Sequence, residues 1–342
     1  MMRTNVVLVG FGNVGRAFVR LSAEKQARLA ERHGIGLRLK AVFRSGGGIL
    51  AEDREVDLGR EVLDRGVPKD DPRFRPGLRP EAAFDRLKPG VLVECLSAHP
   101  ETGEPALGYL RAAIARGWHA VTASKGPLAA DANGLRRAAR SREVGFRFSA
   151  AAGAALPAAD VGIRCLAGAE VVSFQGILNG TTNFLLTRMA AGQDYGSALA
   201  DAQKLGIAEP DPERDISGWD SAVKLLILSN LLFDESLKLK DVKVKGLTAA
   251  PASDVRRAAA AGRKVKLLAV ADRGSGRTSL RVAPEPLDAR HPLFPVDGAE
   301  KGVSFLTDSM GTVTVLGGKS DPRAAAAAML KDIILLLKDR DL

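Results

Sequence analysis

Between Ala208 and Asn230 the chain reads AEPDPERDISGWDSAVKLLILSN, and the first thirteen of these residues carry five acidic side chains and two prolines. Pro210 and Pro212 keep Glu209, Asp211, Glu213, Arg214 and Asp215 out of a continuous helix, because proline removes a donor and restricts the residue before it. On composition alone such a loop is solvated surface. The residues that follow argue for more. A helix is expected over 218–233, opened by a capping box between Ser217 and Asp220. Trp219, Ala222, Val223, Leu225, Leu226, Ile227, Leu228, Leu231 and Leu232 make it apolar nearly all round, the pattern of a buried helix. Asp220 and Lys224 share one face of it. They form either a surface ion pair or, if the helix is buried, a charged pair that needs a polar cavity. Glu209 and Asp215, just upstream, suit a small cationic ligand such as an ammonium group.

A second chemical signature stands near the N-terminus. Gly10, Gly12 and Gly15 in GFGNVG, with Phe11, Asn13 and Val14 between them, directly follow an apolar strand and open a helix. That context suits a dinucleotide: a tight turn, a backbone that pyrophosphate can approach, close helix packing and a helix N-terminus facing the phosphates. The second strand ends in Arg44 and Ser45 where a ribose-binding acid would stand, and an arginine there can meet a 2′-phosphate. NADP is therefore expected ahead of NAD.

The elements that must position these groups follow from the apolar pattern. NVVLV (5–9), LRLKAVF ending at Arg44, GVLVECLS ending at Ser97, and WHAVTASK read as strands, with helices to about Arg32 and from Pro105 to Gly117. Alternating strands and helices imply a parallel sheet whose ligands sit at the carboxyl ends, where Lys125 lies. After about residue 134 the short runs EVGFRFSA, EVVSFQGILNG, VKLLAVAD, SLRVAPEPL and VSFLTDSMGTVTVLGG suggest a mixed or antiparallel sheet. Asp321 and Pro322 then cap and open a C-terminal helix. The expected fold class is α/β: a Rossmann-type dinucleotide-binding domain over 1–134, completed by 308–342, and a mixed α/β substrate and dimerisation domain over 135–307.

With 342 residues, 46% hydrophobic and 26% charged, the chain has the composition of a soluble globular protein with a sizeable core. No export signal or membrane-length apolar run is visible. Two cysteines exclude a disulfide scaffold and fit a reducing cytoplasm. The basic residues are spread along the chain and aromatics are 5%, so a nucleic-acid partner is not expected. His33, His99, His119 and His291 lack metal-ligand spacing. Cys95, near the expected nicotinamide, has no companion base for thiohemiacetal chemistry, and Cys165 is expected in the core.

In order and spacing, GFGNVG, VTASKGPLA (121–129), GILNGTTNFLL (176–186) and LGIAEPDPERDISGWDSAVK (205–224) resemble the motifs of the homoserine dehydrogenase family, over most of residues 5–235. The chain resembles the short, single-function form without a regulatory domain. The resemblance implies NAD(P)-dependent interconversion of L-homoserine and L-aspartate 4-semialdehyde, a step of threonine and methionine biosynthesis, in a cytoplasmic homodimer. It implies Lys125 and Lys224 for proton transfer and substrate binding, and Asp220 steering Lys224. Glu209 and Asp215 would hold the substrate's amino end, with Gly180 and Thr181 lining the pocket. Cofactor contacts fall on the glycine turn, Arg44, Ser97, Ser124, Lys125 and Gly317. Sodium would sit on the backbone carbonyls of Ser149, Ala152, Ala154 and Leu156. Ser124 replaces the family's asparagine, Ser149 its glutamate, and GGKSDP its last glycine-rich turn.

The chemistry agrees with these residue types. Hydride passes to or from nicotinamide C4, and the protein supplies orientation and a proton donor or acceptor. Two other readings fit the same residues: a different amino-acid dehydrogenase, such as one acting on aspartate, and a non-catalytic NADP-binding sensor.

Overall fold

A computed structural model describes residues 1–53, 56–274 and 276–338; the last four residues of the segment 308–342 lie outside them. The chain divides into two compact units, Met1–Ala151 with Asp321–Leu342, and Ala152–Ser320.

In the first unit, β1 (Met2–Val9), β2 (Ile35–Arg44), β3 (Gly47–Leu50), β4 (Arg75–Pro76), β5 (Val91–Glu94), β6 (His119–Thr122) and β7 (Phe146–Arg147) form one sheet in the order β4-β3-β2-β1-β5-β6-β7. The five strands from β2 to β7 in that order pair in parallel, and β3 and β4 add an antiparallel edge. Val7, Leu8, Val91, Leu92 and Val93 are fully buried, as expected for central strands covered on both faces. The helix Asn13–His33 packs against the C-terminal helix Pro322–Lys338, and Asp321 caps the latter by accepting Ala324 N–H at 2.7 Å. The order reverses at β1, so β1 and β5 frame the crevice where open α/β sheets take their ligands.

In the second unit, β8 (Val171–Ile177), β9 (Val242–Val244), β10 (Lys264–Asp272), β11 (Ser279–Leu287), β12 (Gly302–Thr307) and β13 (Thr312–Leu316) form a sheet in the order β13-β12-β8-β10-β11-β9, antiparallel except for the β9–β11 pair. The helix Trp219–Phe233 lies on β8, β10 and β11. Its residues Ala222, Leu225, Leu226, Ile227 and Leu228 are at most 1% exposed, so its apolar girth is a buried one.

Five expectations are corrected. The change of texture after residue 134 is no boundary: the helix Lys125–Ser141 runs past it, and EVGFRFSA supplies β7, which extends the first sheet beside β6. Residues 308–320 belong to the second unit, where β13 hairpins onto β12. No capping box forms at Ser217; Gly218, at φ +83°, is the N-cap of Trp219–Phe233, and Ser217 Oγ bonds back to the Arg214 carbonyl at 3.4 Å. Trp219 is 43% exposed and Cys165 is exposed, so neither is core.

Two features of the first unit tie sequence directly to stability. Gly15 faces the Gly10 carbonyl so closely that a Cβ would stand 2.1 Å from that oxygen. The nearest atoms are backbone, the Gly10 carbonyl, so there is no flexible tip to move aside. Gly15→Ala should lower the unfolding free energy by about 2–3 kcal/mol, read as an earlier urea midpoint; an unchanged midpoint would show that the turn has room.

The second feature is Glu94, wholly buried at the end of β5. It is bonded to the Thr122 hydroxyl and to Leu96 N–H at 2.6 Å, and Ser124 Oγ lies 2.7 Å from it and 2.6 Å from the Leu96 carbonyl. One hydroxyl proton cannot serve both oxygens. A proton on Glu94 resolves the conflict, since it lets Glu94 donate to Ser124 and Ser124 to Leu96. Burial likewise raises the carboxyl's pKa above its ordinary 4.5, against the hydrogen bonds that lower it. A raised folded-state pKa stabilises fully below the unfolded value and is lost as pH climbs through the folded one. Glu94→Gln should therefore flatten the decline of stability at pH above about 4.5, measured by urea titrations across that range; an identical slope in both proteins would contradict a neutral Glu94.

Candidate active site

The first unit gathers its predicted residues at the carboxyl ends of neighbouring strands. Val9 of β1 pairs with Phe43 of β2 and Glu94 of β5, and Glu94 pairs with Thr122 of β6. The segments leaving those strands carry the glycine turn, Arg44, Ser97, and Ser124 with Lys125.

The three glycines do different work. Gly10 has φ +103°, and a Cβ there would stand 2.6 Å from the Cys95 carbonyl; Gly15 is closed off by Gly10. Gly12 is the opposite case: a Cβ on it would meet nothing within 4 Å. It is the N-cap of Asn13–His33, and no side chain caps that helix. Open space, bare N–H groups and the helix dipole at one point fit a pyrophosphate. Phe11 is half-buried under the Arg16 guanidinium, 5.5 Å from the ring centre, Val14 is half-buried, and Asn13 is exposed.

Arg44 is exposed at the end of β2, with Nη1 donating to the Val67 carbonyl at 2.8 Å, so its guanidinium is anchored at one corner. Ser97 and Lys125 are exposed, and Ser124 is buried as the N-cap of the helix that Lys125 begins. Cys95 Sγ lies 3.0 Å from the Gly10 carbonyl, and burial pushes its pKa well up. Such a thiol is no nucleophile. The histidines serve turns: His99, His119 and His291 each accept backbone N–H bonds at Nδ1.

In the second unit the acidic run is divided by its surroundings. Asp211 and Glu213 are exposed, and a single helical turn, Glu213–Ile216, starts just past Pro212. Asp215 and Asp220 are turned toward β8. Asn179, 5% exposed, donates through Nδ2 to Asp215 Oδ1 at 2.7 Å and to Asp220 Oδ2 at 2.9 Å. Asp220 Oδ2 also accepts from Lys224 Nζ at 2.7 Å, and Lys224 Nζ donates to the Leu178 carbonyl at 2.9 Å. The side chains of this pair are 11% and 16% exposed, which makes it a half-buried charge pair rather than a surface one. Asn179 also caps the helix Gly180–Ala190 by accepting Thr182 N–H at 2.9 Å. Thr181 Oγ1 donates to the Ile207 carbonyl at 3.0 Å, tying that helix to the start of the acidic run. Gly180 faces the Ala299 carbonyl, 2.6 Å from where a Cβ would be. Glu209 is exposed. Gly317, at φ +107°, donates its N–H to the Lys301 carbonyl at 2.8 Å.

Ser149 belongs to the first unit, where its hydroxyl bonds to Asp332 at 2.7 Å, while Ala152, Ala154 and Leu156 belong to the second. Among the described residues, no group of three His, Cys, Asp or Glu side chains is placed to hold a metal ion. No helix among them is long and apolar enough to cross a membrane.

Three residues of these sites were not singled out in the sequence: Glu94, Asn179 and Lys301. Asn179 stands inside the motif GILNGTTNFLL, next to the two residues that were named, and its position before a helix marks it as a cap. Glu94 ends an apolar run without any partner in sequence. Lys301 is a lone cation before a strand, with no local signal at all.

Two family models match the chain: the NAD binding domain of homoserine dehydrogenase over residues 10–149, and homoserine dehydrogenase over residues 157–334. The chain is 34% identical over 338 residues to the NAD(+)-dependent homoserine dehydrogenase of Pseudomonas canavaninivorans, covering 98% of this chain and 96% of that protein. It is 34% identical over 337 residues to the homoserine dehydrogenase of Sulfurisphaera tokodaii, covering 98% and 99%. The crystal structure of a putative homoserine dehydrogenase from Archaeoglobus fulgidus superposes with a TM-score of 0.84 at 30% identity, over 97% of this chain and 98% of that one. The chain belongs to the homoserine dehydrogenase family, NAD(P)-dependent oxidoreductases that act on a CH–OH group.

Proposed function

We propose that the chain interconverts L-homoserine and L-aspartate 4-semialdehyde, and that its residues act as follows. The observation that carries the reading is the linked set Asp215, Asn179, Asp220 and Lys224. Its two carboxylates are held side by side by one neutral carboxamide; Lys224 pairs with Asp220, while the carboxamide leaves the charge of Asp215, which with Glu209 receives the substrate's ammonium. Gly180 and Thr181 line the pocket. Lys224 spends two of its three N–H donors on Asp220 and Leu178. The third is left for a substrate oxygen.

A bound dinucleotide accepts or gives the hydride at nicotinamide C4. The chain's residues hold the carbinol in place and manage its proton. Oxidation requires an amine to take the hydroxyl proton, and reduction requires an ammonium to return it; Lys224 and Lys125 are the two groups for this. General acid–base help of this kind is worth roughly 10²–10⁴-fold.

NADP is favoured over NAD because Arg44 leaves guanidinium donors unspent at the end of β2, where the ribose 2′-position falls in this fold. The open face of Gly12 takes the pyrophosphate, with Phe11, Asn13, Val14, Ser97, Ser124 and Gly317 as further contacts. Sodium has less support. The Leu156 carbonyl already accepts Ala158 N–H at 2.8 Å, and the Lys301 ammonium stands 2.7 Å from the Gly153 carbonyl, between two of the expected ligands. A homodimer is supported by Val172, Leu306, Met310 and Leu316, large apolar side chains exposed on the β8–β12–β13 side of the second sheet. A biosynthetic reaction and two free cysteines suit the cytoplasm.

Initial rates with L-homoserine and NAD(P)⁺, and with aspartate 4-semialdehyde and NAD(P)H, test the reaction. Turnover of aspartate instead would mark an aspartate dehydrogenase, and tight dinucleotide binding without turnover a sensor. Lys125→Ala and Lys224→Ala should each lower kcat by about 10²-fold or more while the protein still unfolds cooperatively; full activity in both would sink the assignment. Arg44→Ala should raise the KM for NADPH about tenfold and leave that for NADH within a factor of about two; equal losses would remove Arg44 from the ribose site.

A further inference from the structure

Lys301 is 2% exposed. It immediately precedes β12, and because Gly302 pairs with Ile177 of the antiparallel β8, Lys301 stands opposite Leu178. Leu178 is the residue whose carbonyl accepts Lys224. The two lysines therefore reach the same end of the sheet from different elements, one from a strand and one from a helix. Their partners differ. Lys224 has Asp220 as a counter-ion at 2.7 Å. Lys301 has no carboxylate partner among the described residues, and its hydrogen bond runs to a neutral group, the Gly153 carbonyl, at 2.7 Å.

A buried ammonium with one neutral partner and two unspent N–H donors is costly, since desolvating a charge is offset only by pairing it. The side chain is not there as a packing filler, because an apolar residue of that length would fill the space without the cost. Burial, then the nearby Lys224 ammonium, against the opposing pull of Asp220, brings its pKa down to about 7. That is the state of a lysine whose counter-ion arrives from outside.

We propose that Lys301 is a substrate-binding residue whose ammonium receives the carboxylate of the amino-acid substrate, beside Lys224. The inference rests on the reaction proposed above. The substrate carries three groups to be placed: an ammonium, a carboxylate and the reacting carbinol. Glu209 and Asp215 answer the first, and the proton-transferring amines the third. Lys301 answers the second, and frees Lys224 from having to neutralise the carboxylate alone. It also fixes the chemical class of acceptable substrates as α-amino acids rather than amino alcohols.

The test compares native enzyme, Lys301→Met and Lys301→Gln, using L-homoserine as substrate and L-homoserinamide, which lacks the carboxylate charge, as a competitive inhibitor. Loss of a charge-assisted hydrogen bond should raise the KM for homoserine about 10- to 100-fold in Lys301→Met. The change in kcat should be much smaller, and the Ki of the amide should move less than about threefold. Lys301→Gln retains a donor for the Gly153 carbonyl but no charge, and should follow Lys301→Met; if the methionine variant does not fold, the glutamine variant decides. A homoserine KM within about twofold of native in Lys301→Gln, or equal losses for homoserine and the amide, would overturn the proposal and leave Lys301 as a brace for Gly153. Native enzyme that does not turn over homoserine would overturn the functional reading and this inference with it.

Discussion

Two carboxylates on adjoining turns repel each other, and the second unit depends on their being held together while only one of them, Asp220, is paired with a cation, Lys224. The Asn179 carboxamide does this with its two N–H donors, one for Asp215 and one for Asp220, while its oxygen caps the helix Gly180–Ala190. Every polar atom of that side chain is thereby committed. Helix start, acidic turn and buried helix are pinned at one residue, and the charge available to a ligand stays in place. An ammonium in the position of Asn179 would quench Asp215 as well as Asp220, and a carboxylate would repel them both.

The first unit solves a different problem with the same economy. Its ligand crevice must be open at the top and closed below, so the turn after β1 is pressed against the segment that follows β5. Gly10 and Gly15 permit that approach, and the Cys95 thiol fills the gap under the turn. Below it, the buried Glu94 crosslinks the ends of β5 and β6 through two hydroxyls and sets the start of the helix that carries Lys125. Lys125 can be exposed and still well placed because the residue before it is locked.

How much of this was legible in the sequence follows from how local each signal is. Gly10, Gly12 and Gly15 could be read because their meaning lies in one turn between a strand and a helix, and Asp220 with Lys224 because helical spacing puts them on one face. The short strands β3, β4 and β7 were not legible as part of the first sheet: two to four residues carry no period, and only the pairing of β3 with β2, of β4 with β3 and of β7 with β6 makes them strands. The capping box at Ser217 failed for a local reason, since Gly218 takes the left-handed conformation and ends the preceding turn itself. Lys301 was out of reach altogether. Its burial depends on β12 pairing with β8, more than a hundred residues earlier, and nothing near it in sequence marks a buried cation.

The glycine turn has a bearing on how such motifs are read in other chains. Two of its three glycines answer to the protein's own backbone, and only Gly12 answers to empty space. A descendant that gave up its dinucleotide would remain under pressure to keep the first and third glycines merely to fold, while the middle one drifted. The motif's outer letters are thus a record of architecture, and its middle letter is the one that dates the loss of a ligand.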